Sequence, residues 1–416
     1  MKRRVVITGM GAVTPVGNNV ETMFSNMIKG VNGIDKITQF NTENFKVKVA
    51  GEIKDLNLED YFDKREIRRS DKVMLLGTIA AMQAYENAKL KPTDYDPYTF
   101  GVYVTSGIGG LHTIQEEVTV GVQKDFSRMS PFFIPNSIVN MTGGMISIKL
   151  GLKGPNLPIV TACSASTNSI GEAYRAIKDG YIDLALAGGS ESCINEIGIG
   201  GFASLKALST SDDINRASIP FDLERSGFVM GEGAGVLVLE NLESAIKRQA
   251  TILGEIVGYA STNDAFHMTA PDDEAKGITR AIELALDDAK ILPNEIGYIN
   301  AHGTSTNLND KLETLGIKNV FKKDAYKVNI SSTKSMTGHM LGATGAIESI
   351  VCIKALQTGK IPPTINYVKK DESCDLNYTP NQSVDRKLTY TMNTNLGFGG
   401  HNAVLIFKKW EENHEA

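Results

Sequence analysis

Apolar residues in this chain come in short runs, each closed by glycine. Val5-Val6-Ile7 leads to Gly9, Val102-Tyr103-Val104 to Gly107, and Leu184-Ala185-Leu186-Ala187 to Gly188-Gly189. Continuous apolar runs bounded by turn residues predict buried strands. Other segments repeat their apolar positions at helical spacing. Leu75 to Ala88 and Ile278 to Ala289 do so, as does Ile170 to Ile177, with Ile170, Ala173, Tyr174 and Ile177 on one face. Strands, glycine turns and amphipathic helices in this alternation predict a layered α/β fold.

A weak internal repeat runs through the pattern. Ala88-Lys89-Leu90-Lys91-Pro92 ends one helix and Ala289-Lys290-Ile291-Leu292-Pro293 ends another. An apolar strand follows each, Gly101–Thr105 in the first copy and Gly297–Ala301 in the second. The helix before Gly180 matches the helix before Gly359 in the same order. Two copies of one unit predict two similar halves, residues 1–250 and 251–416, packed as one body.

Composition narrows the class. The chain has 416 residues, 43 basic and 48 acidic side chains, a net charge of −5 and 42% apolar residues. That content supports a sizeable core and excludes a disordered chain. Mild acidity argues against nucleic acid as the main partner. No stretch approaches the roughly 20 apolar residues that span a bilayer. The start, Met1 to Met10, has a basic head, but Thr8, Gly9 and Gly11 break its apolar part, so a first strand is expected instead of a signal peptide. Cys163, Cys193, Cys352 and Cys374 form no Cys-x-x-Cys pair, which favours neither zinc nor disulfides and suits a reduced cytoplasm.

Cys163 stands out among the four. It follows the apolar segment Leu157 to Val160, expected to be a strand, and precedes a helix, so it should sit at a strand-to-helix turn, at the helix start. Backbone N–H groups and the helix dipole favour a thiolate there and can hold an oxyanion. A small buried cysteine fits the position equally well. His302, in Ala301-His302-Gly303-Thr304-Ser305-Thr306, closes a strand, and His339 ends Lys334-Ser335-Met336-Thr337-Gly338-His339 ahead of a second helix. Neither has the His-x-x-x-His spacing of a metal site. Gly397-Phe398-Gly399-Gly400-His401-Asn402 is followed by a strand pattern and not a helix, so it reads as a mobile loop presenting Phe398, not a phosphate cradle.

In this order the motifs resemble the β-ketoacyl-acyl-carrier-protein synthases, the KAS II type in particular. The resemblance spans the chain from Val5 to Asn402 and includes Asn309-Asp310-x-x-Glu313 and Gly227-Phe228-Val229-Met230-Gly231-Glu232-Gly233. Ser226 departs from it, since aspartate is usual there. The resemblance implies a thiolase-like fold with a duplicated five-layer α-β-α-β-α core, usually a homodimer. It implies that Cys163 carries the acyl group and that His302 and His339 hold an enolate as neutral Nε2–H donors. Phe398 would gate the site and lend a backbone N–H. Lys334 would orient the site in a pair with Glu348, with Glu313 in support.

The same resemblance distributes the substrate contacts. Thr304 and Thr306 would bind the pantetheine arm, and Asp264, Thr269 and Gly399 would belong to the moving loops. Ile108 would line the acyl tunnel, and Phe133 would close its far end across a dimer interface. Arg65, Arg68, Arg69 and Lys206 would dock the acidic acyl carrier protein. No redox or organic cofactor is implied, although a structural monovalent cation near Asn300, Glu348 and Asn393 is compatible with it. A polyketide ketosynthase would share the trio. A degradative thiolase would need a second late cysteine, a KAS III-like enzyme an asparagine in place of His339, and a chain-length partner subunit would lack Cys163.

Overall fold

Nine strands form one continuous sheet in the computed structural model, which describes residues 2–411. In chain order they are β1 (Val5–Val13), β2 (Phe100–Thr105), β3 (Leu184–Glu191), β4 (Gly233–Asn241) and β5 (Gly254–Asn263), then β6 (Ile296–Asn300), β7 (Asn329–Ser331), β8 (Tyr390–Gly397) and β9 (His401–Lys408). Across the sheet the order is β2-β3-β4-β1-β5-β9-β8-β6-β7. The two arms read alike outward from the β1–β5 junction. Each has two antiparallel pairings and then a parallel one, β1/β4/β3/β2 on one side and β5/β9/β8/β6 on the other. The junction itself is antiparallel, with Val5 opposite Ile256 and Ile7 opposite Gly254.

Helices make the remaining layers. α1 (Lys72–Asn87) and α2 (Met141–Leu150) cover the outer face of the first arm. α4 (Lys276–Ala289) and α5 (Asn307–Phe321) cover the second. Between the arms lie α3 (Ala165–Lys178) and α6 (Thr344–Thr358). Thus α6 is buried from Thr344 to Leu356, because a sheet or helix faces it on every side. The result is the five-layer duplicated core, and the two repeat matches correspond to α1 with α4 and α3 with α6.

Buried strands explain the apolar runs. All nine residues of β1 are buried, since helices cover one face and the central layer the other. Gly9 and Gly11 let α1 approach. A Cβ on Gly11 would lie 2.0 Å from the Ala80 carbonyl oxygen, and one on Gly9 2.2 Å from that of Ala84. One expectation fails. Leu157–Val160 is not a strand, and only Asn156 bridges Val102. The Leu157 N–H still reaches the Val102 carbonyl at 2.9 Å, but Pro158 has no backbone N–H and the pairing goes no further. Among the described residues, no helix is long and apolar enough to cross a membrane.

The close β1–α1 contact gives a direct test. Gly11→Ala should lower stability by about 1–3 kcal/mol through overpacking. Gly201→Ala, where a new Cβ meets nothing within 4 Å, should leave it unchanged or slightly raised. Urea denaturation midpoints of both variants decide it.

Candidate active site

The duplication brings two elbows together at the middle of the molecule. A one-turn 3-10 segment, Ala162–Ser164, feeds α3, and its counterpart Leu341–Ala343 feeds α6. Each opens on a strained residue, Ala162 at φ 50° and Leu341 at φ 43°. Such left-handed non-glycine residues persist where surrounding structure holds them, often at functional sites. Cys163 follows the first and Gly342 the second. The hairpin turn between β8 and β9 closes over Cys163. Gly397 must be glycine there, because a Cβ would lie 2.6 Å from the Thr161 carbonyl oxygen and 3.3 Å from the Cys163 nitrogen.

The Cys163 sulfur is buried, and the backbone N–H groups of Phe398 and of Cys163 itself favour its anion. Burial pushes the thiol up to about 12, and the Lys334 cation and the two N–H groups pull against it without prevailing. This corrects the expectation of a resting thiolate. The helix start is present, but removal from water outweighs it.

His302 follows β6 and His339 follows the helix Lys334–Thr337. Their ring centroids lie 5.3 Å apart with planes at 88°. Burial, and then the Lys334 cation, hold both imidazoles well below the usual histidine range, so both are neutral at pH 7. His302 Nδ1 lies 3.3 Å from Asn395 Nδ2, and His339 Nδ1 lies 3.0 Å from Thr344 Oγ1. The His302 backbone is anchored separately. Glu313 accepts the N–H groups of His302 at 2.7 Å and Gly303 at 2.8 Å, and the Thr394 hydroxyl at 2.7 Å.

Lys334 donates to Glu348 at 2.5 Å, with both side chains buried. Burial pushes the Glu348 carboxyl up, and the hydrogen-bonded Lys334 cation pulls it back down and keeps the two as an ion pair. Close in sequence to these groups, both amide atoms of Asn300 and the Oδ1 of Asn393 are buried without partners. Orphaned buried oxygens of this kind fit an oxygen-bound monovalent cation or an ordered water.

A cavity of about 400 Å³ opens onto the trio. Cys163, His302 and His339 line it together with Thr304, Thr306, Phe398, Asp264, Thr269 and Lys206. The two threonine hydroxyls are 3.0 Å apart. Gly399 is exposed outside the lining and ties two loops together. Its N–H donates to the Met268 carbonyl at 2.7 Å and its carbonyl accepts from Asn263 Nδ2 at 2.7 Å. Asp264 accepts from Asn402 Nδ2 at 2.7 Å. Ser226 also lines the cavity.

Other predicted residues stand apart from it. Ile108 packs into the apolar cluster that holds Cys163 but does not line the cavity. Phe133 is half-buried on the helix Phe133–Ser137, also outside the lining. Arg65 and Arg68 are exposed on the helix Lys64–Arg69, while Arg69 stacks 5.1 Å over the Phe132 ring. Asn395, Thr167 and Thr344 are site residues that the sequence reading missed. The one available signal was polar Asn393, Thr394 and Asn395 inside a buried strand, where each must find a partner.

A cysteine elbow shared between two duplicated α/β arms defines a thiolase-like ketosynthase. Sequence profiles agree. Residues 2–245 match the Beta-ketoacyl synthase N-terminal domain and residues 253–368 the C-terminal domain, so the chain belongs to the β-ketoacyl synthase family. The 3-oxoacyl-[acyl-carrier-protein] synthase 2 of Staphylococcus aureus strain N315 is 50% identical over 409 residues, covering 98% of this chain and 99% of the relative. The enzyme of the same name from Synechocystis is 46% identical over 411 residues, 99% of each chain. A β-ketoacyl synthase from Burkholderia phymatum superposes with a TM-score of 0.90 at 32% identity, covering 98% of this chain and all of the other. A type II polyketide ketosynthase solved with its acyl-carrier protein gives 0.91 at 34%, covering 99% of this chain and all of the other.

The buried thiol has a measurable consequence. With the thiol near 12, about one molecule in 10⁵ holds the thiolate at pH 7. Alkylation of Cys163 in the free enzyme should therefore rise about tenfold per pH unit from pH 6 to 9. A plateau within that range would show that the helix start prevails over burial.

Proposed function

We propose that this chain is the condensing enzyme of fatty acid elongation, joining a malonyl unit to an acyl chain held on Cys163, with both delivered by acyl carrier protein. The observation that carries the reading is the pairing of two buried neutral imidazoles with a cysteine elbow at the base of one cavity. The relatives at 46–50% identity bear the name of that activity.

The chemistry follows from the site. The Cys163 thiol adds to the acyl thioester carbonyl, and the N–H groups of Cys163 and Phe398 receive the oxyanion. The tetrahedral intermediate collapses, the bond to the carrier sulfur breaks, and the thiol proton ends on that departing sulfur. Malonyl-carrier then enters. Its carboxylate leaves as carbon dioxide, and the freed electron pair moves into the thioester as an enolate. His302 and His339 hold the enolate oxygen through Nε2–H, which requires them to stay neutral. The enolate carbon attacks the acyl carbonyl on Cys163, forming the carbon–carbon bond. The bond to Cys163 breaks, and its sulfur regains a proton from water. Lys334, paired with Glu348, orients the site and is no base. A monovalent cation at Asn300, Glu348 and Asn393 would brace this polar layer structurally.

Delivery and assembly complete the reading. Thr304 and Thr306 would bind the pantetheine arm in the cavity. Lys206 at the cavity lining, with Arg65, Arg68 and Arg69, would attract the acidic carrier. Asp264, Thr269, Gly399 and Phe398 would move together when the carrier docks, because the loops are bonded to each other. Leu157, Val160, Ile134, Ile138 and Ile148 are exposed apolar residues. We assign them to a homodimer interface, across which Phe133 would close the acyl tunnel lined by Ile108. The two halves would divide at residues 1–250 and 251–416, and the four free cysteines suit a reducing cytoplasm.

Intact-protein mass spectrometry tests the chemistry. Long-chain acyl-carrier should leave an adduct on wild type and none on Cys163→Ala, and malonyl-carrier should discharge it as a β-ketoacyl product. His302→Ala and His339→Ala should still acylate but lose about 100-fold or more in malonyl decarboxylation. An adduct that malonyl-carrier never discharges would overturn the reading. A strict preference for polyketide carriers would move the chain to the other branch of its family. Light scattering should report a mass twice the 45.0 kDa of one chain, and Leu157→Lys with Val160→Lys should halve it.

A further inference from the structure

Asn395 lies in β8, two residues ahead of Gly397, and is completely buried. Its amide touches three separate parts of the site. Nδ2 lies 2.7 Å from Glu348 Oε2 and 3.3 Å from His302 Nδ1. Oδ1 accepts the hydroxyl of Thr167, four residues beyond Cys163. An amide nitrogen has two hydrogens, and both are used here.

The orientation of this amide is determined by its neighbours. Flipping it would set Oδ1 against the Glu348 carboxyl oxygen, where a donor is needed. The space is tight as well. A Cβ on Gly345 would lie 2.8 Å from Asn395 Oδ1 and 1.9 Å from Thr167 Oγ1. With an N–H pointing at it, His302 Nδ1 must accept. The ring proton then sits on Nε2. The opposite tautomer would place two N–H groups face to face and leave a bare lone pair on Nε2.

His339 is held differently. Its Nδ1 partner is the Thr344 hydroxyl, which can donate or accept by rotating. That contact does not by itself select a tautomer.

We propose that Asn395 is a positioning residue that sets the tautomer and orientation of His302, making it a dedicated hydrogen-bond donor to the enolate oxygen. This rests on the condensing function proposed above, although the tautomer itself does not. Through Glu348 the amide also connects His302 to the Lys334 pair, and through Thr167 to the helix that begins at the nucleophile. One buried amide thus keeps the enolate donor in register with the acyl carrier residue.

The test uses the full-length protein, with Asn395→Asp and Asn395→Leu. Both keep roughly the size of asparagine and lack its NH₂ group. Nitrogen-15 spectra of histidine-labelled enzyme, with His302 identified by a His302→Gln variant, should show a pyridine-type Nδ1 and a pyrrole-type Nε2 in wild type. The variants should show a mixture or the reverse. Malonyl-carrier decarboxylation should fall about 30-fold or more in kcat with KM unchanged, while single-turnover acylation of Cys163 stays within about threefold. Should Asn395→Asp not fold, Asn395→Ser, which adds neither bulk nor charge, replaces it. Unchanged His302 nitrogen signals in the variants, or equal losses in both half-reactions, would overturn the proposal. If wild type does not decarboxylate malonyl-carrier, the proposed function fails, and the nitrogen spectra still decide the role of Asn395.

Discussion

Lys334 places a positive charge in the dry centre of the molecule, and Glu348 is its hydrogen-bonded counter-charge. Removing either partner would leave an uncompensated buried charge, a loss of about 3–5 kcal/mol in proteins generally. Such a pair is held because the surrounding groups depend on it. The Lys334 cation adds to burial in keeping both imidazoles unprotonated, and it opposes the burial that raises the Cys163 thiol. A protonated imidazole would be a poor neighbour for a cation, and a neutral one is what an enolate donor requires. Burial thus sets the protonation of all three central side chains, and the Lys334 charge reinforces it at the two imidazoles and opposes it at the thiol.

The cysteine shows how two physical effects compete at one atom. The helix start and two backbone N–H groups favour the anion, while exclusion of water disfavours it more strongly. In the proposed reaction, attack on a thioester differs, because the oxyanion would form against N–H groups fixed beforehand. Donors placed in advance need no reorganisation when charge develops.

Duplication supplies the geometry. Two helix-start elbows meet at the centre, one bearing Cys163 and the other Gly342. The second has no nucleophile and became a brace. Gly342 donates its N–H to buried Glu191 at 2.9 Å, and Glu191 also takes the Gly107 N–H at 2.8 Å and the Ser106 hydroxyl at 2.6 Å. That carboxylate ties the segment carrying Ile108 to the second half. Symmetry in the frame thus coexists with asymmetry in the site, where the first half carries Cys163 and the second carries His302, His339 and Lys334.

Much of this was legible along the chain. Apolar runs located the strands, although the first runs on through Gly9 and Gly11 to Val13 and the third through Gly188 and Gly189 to Glu191, and the repeated helix endings marked the duplication. Cys163, His302 and His339 stood out because each lies at an element boundary, a local property that neighbouring residues reveal. The tertiary structure alone decided the rest. Asn395 is 93 residues from His302 and 228 from Thr167 in sequence, so no local pattern could pair them. The Leu157–Val160 segment had an apolar pattern, but its pairing with Val102 stops at Pro158. The state of Cys163 was also misjudged from its helix start, because desolvation depends on everything that closes over the sulfur. Periodicity and turn chemistry act over a few residues and can be read in one dimension. Burial, tautomer and charge balance are set by groups that only the folded chain brings together.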